Sequence, residues 1–284
     1  MSFDANAYRD ASLEMWEASA SGWTRHQEQI RAMGAPVSQA MIEALDLQPG
    51  QRVLELAAGM GETGLLAAEL VAPAGGVLIS DQAEAMLEGA RVRARELGIS
   101  NVEFKVLNAE WIDEPLASFD AVVCRFGYML MADPGAALTE TRRVLRPGGA
   151  LALAVWDELA RNPWAALPRE ALRLHGLGGE PPPPGTPGPF SLGDGARLLE
   201  LIEDAGFAGA EIIDVPIEQR YRDFEQMWET VLDVSPTFHE AVMEQPAARV
   251  EEIRATLREL LAAHPAADGA IALAGSVHVA RADA

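Results

Sequence analysis

VLELAAGMGETG, residues 53–64, runs from an apolar stretch holding one acid, Glu55, into three glycines spaced Gly59-x-Gly61-x-x-Gly64. An apolar run that breaks on glycines and continues with helical periodicity opens a βαβ unit. Glycine lets the chain turn sharply there and lets the backbone approach a ligand with no Cβ in the way. The spacing alone admits a dinucleotide, because Asp81 stands 22 residues beyond Gly59, where such folds place a ribose-binding acid. Three features weigh against that reading. Glu55 lies four residues before Gly59, and an acid beside the loop suits a cationic ligand better than a pyrophosphate. Residues 1–48 read as helices, whereas dinucleotide folds more often begin close to their first strand. Lys105 is the only lysine and has no tyrosine four positions before it, so the Tyr-x-x-x-Lys pair of many reductases cannot form.

Outward from the loop, short apolar runs alternate with longer helical periods. RVLELAA (52–58) is strand-like and ETGLLAAELVA (62–72) helical; GVLISD (76–81) is a second strand, followed by the helix AEAMLEGARVRARELG (83–98). NVEFKVLN (101–108) and FDAVVCRF (119–126) make two more strands. DPGAALTETRRVL (133–145) is a helix halted by Arg146-Pro147-Gly148-Gly149, and ALALAVW (150–156) is a fifth strand. This alternation implies an α/β fold, a doubly wound parallel sheet with helices on both faces. After it come a helix (163–175), the extended connector GLGGEPPPPGTPGPF (176–190), a helix (194–207) that Asp194 can cap, and a strand (210–220). Helices then fill 223–264, and GAIALAGSVHVARA (269–282) is a closing strand. The expected division is an N-terminal helical cap (1–48), a core from 49–157, 191–220 and 266–284, and substrate-side insertions at 158–190 and 221–265.

The bulk composition narrows the partners. With 43 acids against 22 bases the formal net charge is -21, a surface that repels phosphate backbones, so no nucleic acid is expected. Cys124 is the only cysteine, which excludes an intrachain disulfide and points to a reducing compartment. The first residues, MSFDANAYRDASLEMW, lack the basic and apolar regions of a secretory signal, and no apolar stretch approaches membrane-spanning length. The expected location is the cytoplasm.

VLELAAGMGETG, LISDQAEAMLEGAR, NAEW, FDAVVCRFGYML and RVLRPGGALALAVW occur in that order and at suitable spacing. Together they resemble the class I S-adenosylmethionine-dependent methyltransferases, within the group similar to ubiquinone and menaquinone biosynthesis methyltransferases. The resemblance covers residues 45–156 and the closing strand pattern. It implies a Rossmann-like, seven-stranded, mostly parallel sheet with a helical substrate lid, and S-adenosyl-L-methionine as cofactor. It also implies that Glu55, Ala57, Gly59 and Gly61 form the loop beside the methionine part. Asp81 would take the ribose hydroxyls; Gln82 and Met86 would border the adenine, with Asn108, Ala109 and Trp111 at its edge. Arg125, ending the fourth strand, would lie near the sulfonium end. Ala57 and Ala58 stand where the family has glycine or one glycine and a small residue, and Asn108 where it often has aspartate. Plainer readings exist for each: a helix cap for Asp81, a turn for Asn108, packing for Trp111, an ion pair for Arg125.

The activity so implied is methyl transfer to a small, partly apolar metabolite by in-line displacement, in which alignment and exclusion of water do most of the catalysis. No residue declares itself catalytic. His26, His175 and His239 titrate in the useful range, His26 and His239 being the better candidates for a general base. Trp23, Phe126, Tyr128, Met129, Trp156, Phe190 and Trp228 are the expected acceptor-pocket residues, although aromatic side chains on strands and helices are usually core. The expected partner is a small-molecule acceptor, the chain acting alone or as a homodimer. An NAD(P)-dependent oxidoreductase and a non-catalytic cofactor-binding regulator are the alternatives.

Overall fold

The computed structural model describes residues 3–178, 185–264 and 269–284. Two helices come first. α1 (Ala5–Arg25) is capped by Asp4, whose carboxylate accepts from the Asn6 and Ala7 N–H groups. A break at His26 then starts α2 (Gln27–Leu45). β1 (Arg52–Glu55), α3 (Glu62–Val71), β2 (Gly76–Asp81), α4 (Glu84–Leu97), β3 (Val102–Val106), β4 (Phe119–Arg125), α5 (Pro134–Val144) and β5 (Leu145–Trp156) follow. The remainder comprises α6 (Pro163–Leu174), α7 (Gly195–Asp204), β6 (Ala208–Tyr221), α8 (Phe224–Val234), α9 (Pro236–Met243), α10 (Ala247–Leu261) and β7 (Ile271–Asp283).

The seven strands form one sheet in the order β3-β2-β1-β4-β5-β7-β6. β3 through β5 are parallel, and β7 enters antiparallel between β5 and β6. Strand order reverses direction at β1 and β4, so the loops after those strands open beside one another at their carboxyl ends, where ligands bind in such sheets. The inner strands carry apolar side chains on both faces: Val53, Leu54, Val122 and Val123 have no exposed surface. A sheet buried on both sides needs that composition.

Local chemistry explains the element ends. Asp133 accepts from the Ala136 N–H and is followed by Pro134 at the first helical position, so α5 starts there. Asp194 does the same for α7 through Ala196 and Arg197. α4 stops at Gly98, which turns with a φ of +70°. β5 begins at Leu145, earlier than the sequence pattern suggests. Leu145 pairs with Phe119, the register slips, and Ala150 then pairs with Ala121. Arg146–Gly149 therefore bulge out of a strand that has already started.

Two cores result. The larger lies on both faces of the sheet. The smaller gathers Tyr221, Met227, Trp228, Phe238, Val242, Ile253 and Leu257 from β6 and α8–α10, against α6 and β7. Trp164 packs against both. The Pro181–Pro184 run of the connector lies outside the described residues.

Candidate functional site

The loop after β1 is built from left-handed backbone. Ala57, Gly59 and Gly61 have φ of +49°, +54° and +75°. A Cβ added at Gly59 would meet nothing within 4 Å, so the loop faces open space there, whereas one at Gly61 would fall 2.9 Å from the Ala90 Cβ. Gly59 thus leaves a surface for a ligand and Gly61 a close passage for α4. Ala57 holds a conformation that costs an L-residue about 1–2 kcal/mol. Its methyl group abuts the loop after β4, where a Cβ on Gly127 would come within 2.6 Å of it.

Asp81, at the end of β2, is 8% exposed, and its carboxylate accepts from the Gly59 N–H at 2.8 Å and the Ala83 N–H at 2.9 Å. Burial raises its pKa and these N–H bonds oppose the rise. The side chain therefore fixes the glycine loop to the start of α4 and leaves lone pairs for hydroxyl donors. Glu55 is 2% exposed, and burial pushes its carboxyl up to about 8, against a backbone bond from Gly64 and the attraction of Arg125. Its Oε2 is buried and has no hydrogen-bond partner among the described residues. Gly64 is required by this carboxylate, because a Cβ there would sit 2.2 Å from Oε2.

Arg125 reaches from the end of β4 toward α2. A Cβ on Gly34 would collide with its Nη1, and its guanidinium lies 5.9 Å above the Phe126 ring. Burial lowers the Arg125 pKa, while Glu55 and Glu62 favour its charge. Arg125 thus lies within electrostatic reach of Glu55 and Glu62, between the loop, the start of α3 and α2. Ser38 of α2 and Thr63 of α3 add a buried hydroxyl pair at 2.8 Å beneath it.

On the other side of the loop, α1 crosses over the start of α4. Gln82 donates to the Ser12 hydroxyl, and Met86 packs with Met60, Ala83, Trp16 and Trp23. The Asn108 side chain accepts from the Glu110 N–H and closes its own turn, Ala109 is buried beside it, and Trp111 is 79% exposed. The structure therefore does not bring Trp111 into the site, and Asn108 spends its oxygen on a turn.

The aromatic residues at and beyond the ends of β4 and β5 form a chain of ring contacts, the first pair stacked and the next two tilted. Phe126 lies 4.2 Å from Trp156, Trp156 4.6 Å from Trp164, and Trp164 6.1 Å from Phe190. Tyr128 and Met129 are buried below this column, with the Tyr128 hydroxyl on Thr141. Trp228 is placed in the smaller core against Phe224 and Phe238. Both His26 nitrogens face protein groups, Asp233 at 2.9 Å and Thr230 at 3.4 Å. His175 bonds Thr256 and His239 bonds the Leu232 carbonyl. None of the three histidines presents a free nitrogen to the loop.

Two contributors escaped the sequence pattern. Gly34 reads as an ordinary helical glycine until Arg125 is seen against it. Glu17, on α1, accepts from the Glu84 and Ala85 N–H groups and so caps α4, whose N-cap residue, Ala83, has no side chain able to do so. The missing cap residue was the one available signal.

The fold and this loop are similar to those of class I methyltransferases. Residues 47–175 match the family model described as a methyltransferase domain, and the stretch is similar to the ubiquinone/menaquinone biosynthesis C-methyltransferases. The chain is 39% identical over 111 residues to the ubiquinone/menaquinone biosynthesis C-methyltransferase UbiE of Shewanella oneidensis, covering 39% of this chain and 44% of that protein. It therefore spans less than half the length of that curated relative. Among solved structures, the YcgJ protein of Bacillus subtilis superposes with a TM-score of 0.56 at 19% identity, over 87% of this chain and 97% of that one. The phosphoethanolamine N-methyltransferase 2 of Haemonchus contortus, in complex with S-adenosyl-L-methionine, superposes with a TM-score of 0.51 at 17% identity, over 87% and 52%. These two likenesses establish the fold.

Proposed function

We propose that this chain transfers a methyl group from S-adenosylmethionine to a small, planar and partly apolar acceptor. The observation that carries the reading is the buried Glu55 carboxyl, whose Oε2 lacks a partner beside the open face of the loop. A dinucleotide would set its pyrophosphate on the first turn of α3. Here acids border that turn instead: the Glu55 carboxyl lies against Gly64, and Asp81 accepts from the Gly59 N–H. A ligand with a cationic amino acid end and a neutral nucleoside fits those charges; a pyrophosphate does not.

The residues present fit the cofactor. Asp81 would hold the ribose hydroxyls, Glu55 the ammonium group, and the backbone of Ala57–Gly61 the methionine chain. Bound there, the cofactor supplies a methyl group on a sulfonium, a centre open to in-line displacement with a neutral leaving group. What the chain adds is position: α1 and α2 cover the loop, Gly127 lets the β4 loop approach Ala57, and the apolar column keeps water from the acceptor side. No side chain here is assigned the role of base, and an acceptor that is acidic or already nucleophilic requires none.

The acceptor class is supported by the contiguous rings of Phe126, Trp156, Trp164 and Phe190 and by the likeness to C-methyltransferases of quinone biosynthesis. That likeness favours a ring carbon as the methylated atom. Calorimetric titration with S-adenosylmethionine and S-adenosylhomocysteine, with NADH and NADPH as controls, tests the cofactor. Binding of the sulfonium pair, weakened by Asp81→Ala, is expected. Binding of a nicotinamide cofactor in its place would overturn the reading.

A further inference from the structure

The face of α1 that lies on the loop is tied down by polar bonds along most of its length. Tyr8 donates to the Leu130 carbonyl at 2.9 Å, Arg9 pairs with Glu110, and Ser12 accepts from Gln82. One turn later Glu17 caps α4 through Glu84 and Ala85. Trp23, nearer the end of the same helix, breaks the pattern. Its indole Nε1 is buried and has no acceptor among the described residues. Its ring packs with Trp16, edge to face at 5.6 Å, and against the cluster formed by Ala20, Met60 of the glycine loop, and Ala83 and Met86 at the start of α4.

An indole N–H can only donate, and a buried donor with nothing to receive its proton carries its full desolvation cost. Folds seldom retain such a group without a reason. The packing gives one here: Trp23 lies against the cluster that joins α1 to the two segments, the loop and the start of α4, between which Asp81 is strung. A nucleoside held by Asp81 brings ring nitrogens and ribose oxygens, all acceptors, to that neighbourhood. We propose that Trp23 is a cofactor-binding residue whose indole N–H donates to an acceptor atom on the adenosine half of the bound cofactor. This rests on the S-adenosylmethionine reading and moves Trp23 from the acceptor pocket, where its aromatic character alone would put it, to the cofactor. Glu17 ties α1 to α4 through bonds that do not involve Trp23, so Trp23 contributes affinity and its loss leaves the helix docked.

Two measurements on the full chain test this. S-adenosylhomocysteine is titrated calorimetrically into the wild type and Trp23→Phe, which keeps a flat apolar ring and removes the donor. In parallel, the assigned Trp23 indole N–H resonance of the 15N-labelled wild type is followed as the same compound is added. The expected result is a dissociation constant about tenfold weaker in the variant, at unchanged melting temperature. In the wild type the resonance moves downfield and exchanges more slowly with solvent when ligand is bound. Equal affinities with an unmoved resonance would overturn the assignment and leave the cofactor reading intact. A wild type that binds no S-adenosylhomocysteine would overturn both. Should Trp23→Phe fail to fold, the wild-type resonance decides alone.

Discussion

Replacing Glu55 by glutamine keeps the shape of a buried side chain and removes its titration. Burial lifts this carboxyl from 4.5 to about 8 in the folded protein, so the native state holds the proton over a range where the unfolded chain has released it. The folded value is the raised one, so the advantage of the protonated carboxyl is complete below about pH 4.5 and is lost as pH rises through about 8. Each pH unit between those limits changes stability by 1.36 kcal/mol, and the whole span amounts to about 5 kcal/mol at most. Urea unfolding of cofactor-free wild type and Glu55→Gln, at steps from about pH 5 to about pH 9, reads the difference between them and cancels every other titrating group. The variant should gain on the wild type by about 1.4 kcal/mol per pH unit up to about pH 8, after which the gap stays constant. A gap that does not change over that range would mean that Glu55 ionises like an exposed acid, and the account of its environment would fail. A cationic ligand beside Oε2 would draw the proton off. Calorimetry of cofactor binding at neutral pH, repeated in buffers of different ionisation enthalpy, should then register release of nearly one proton.

Asp81→Ala leaves the Gly59 and Ala83 N–H groups without acceptors and should cost about 2–4 kcal/mol in denaturant unfolding, besides weakening the cofactor. Gly64→Ala places a methyl group 2.2 Å from Glu55 Oε2 and 3.1 Å from Ile79; thermal unfolding should show a loss of about 1–3 kcal/mol. Glu17→Ala removes the only side chain capping α4 among the described residues, and a loss of about 1 kcal/mol is expected. The Cys124 thiol is buried and pushed up to about 12, so a thiol reagent should label it only at the rate of unfolding. Prompt labelling of native protein would contradict the packing around β4.

The sheet was legible in the sequence because its strands are buried on both faces, and a two-faced strand shows as a continuous apolar run: Val53–Leu54, Val77–Ile79, Ala121–Cys124 and Leu151–Val155 could hardly be anything else. The loop was legible because left-handed backbone selects glycine at Gly59 and Gly61. Ala57 takes the same conformation without glycine, and there the pattern was silent. What stayed hidden depends on contacts between elements far apart in the chain. The exposure of Trp111, the seat of Trp228 in the smaller core and the press of Arg125 on Gly34 all follow from tertiary packing. The start of β5 at Leu145 was masked by Pro147, Gly148 and Gly149, which ordinarily end a strand and here only bulge one.

β6 and β7 run side by side to their far ends, where Tyr221 pairs with Ile271. The chain between those residues therefore leaves the sheet and re-enters it at a single point. Such a stretch behaves as a cassette: it can be shortened to a tight turn or exchanged for another length without altering the order or register of any strand. The cassette here carries Asp233, which anchors Arg25 and His26 at the junction of α1 and α2. A replacement made at one hairpin tip would thus reset how firmly the covering helices are held, while the glycine loop, Glu55 and Asp81 keep their places. Divergence among relatives, or deliberate grafting, has a ready seam at that tip.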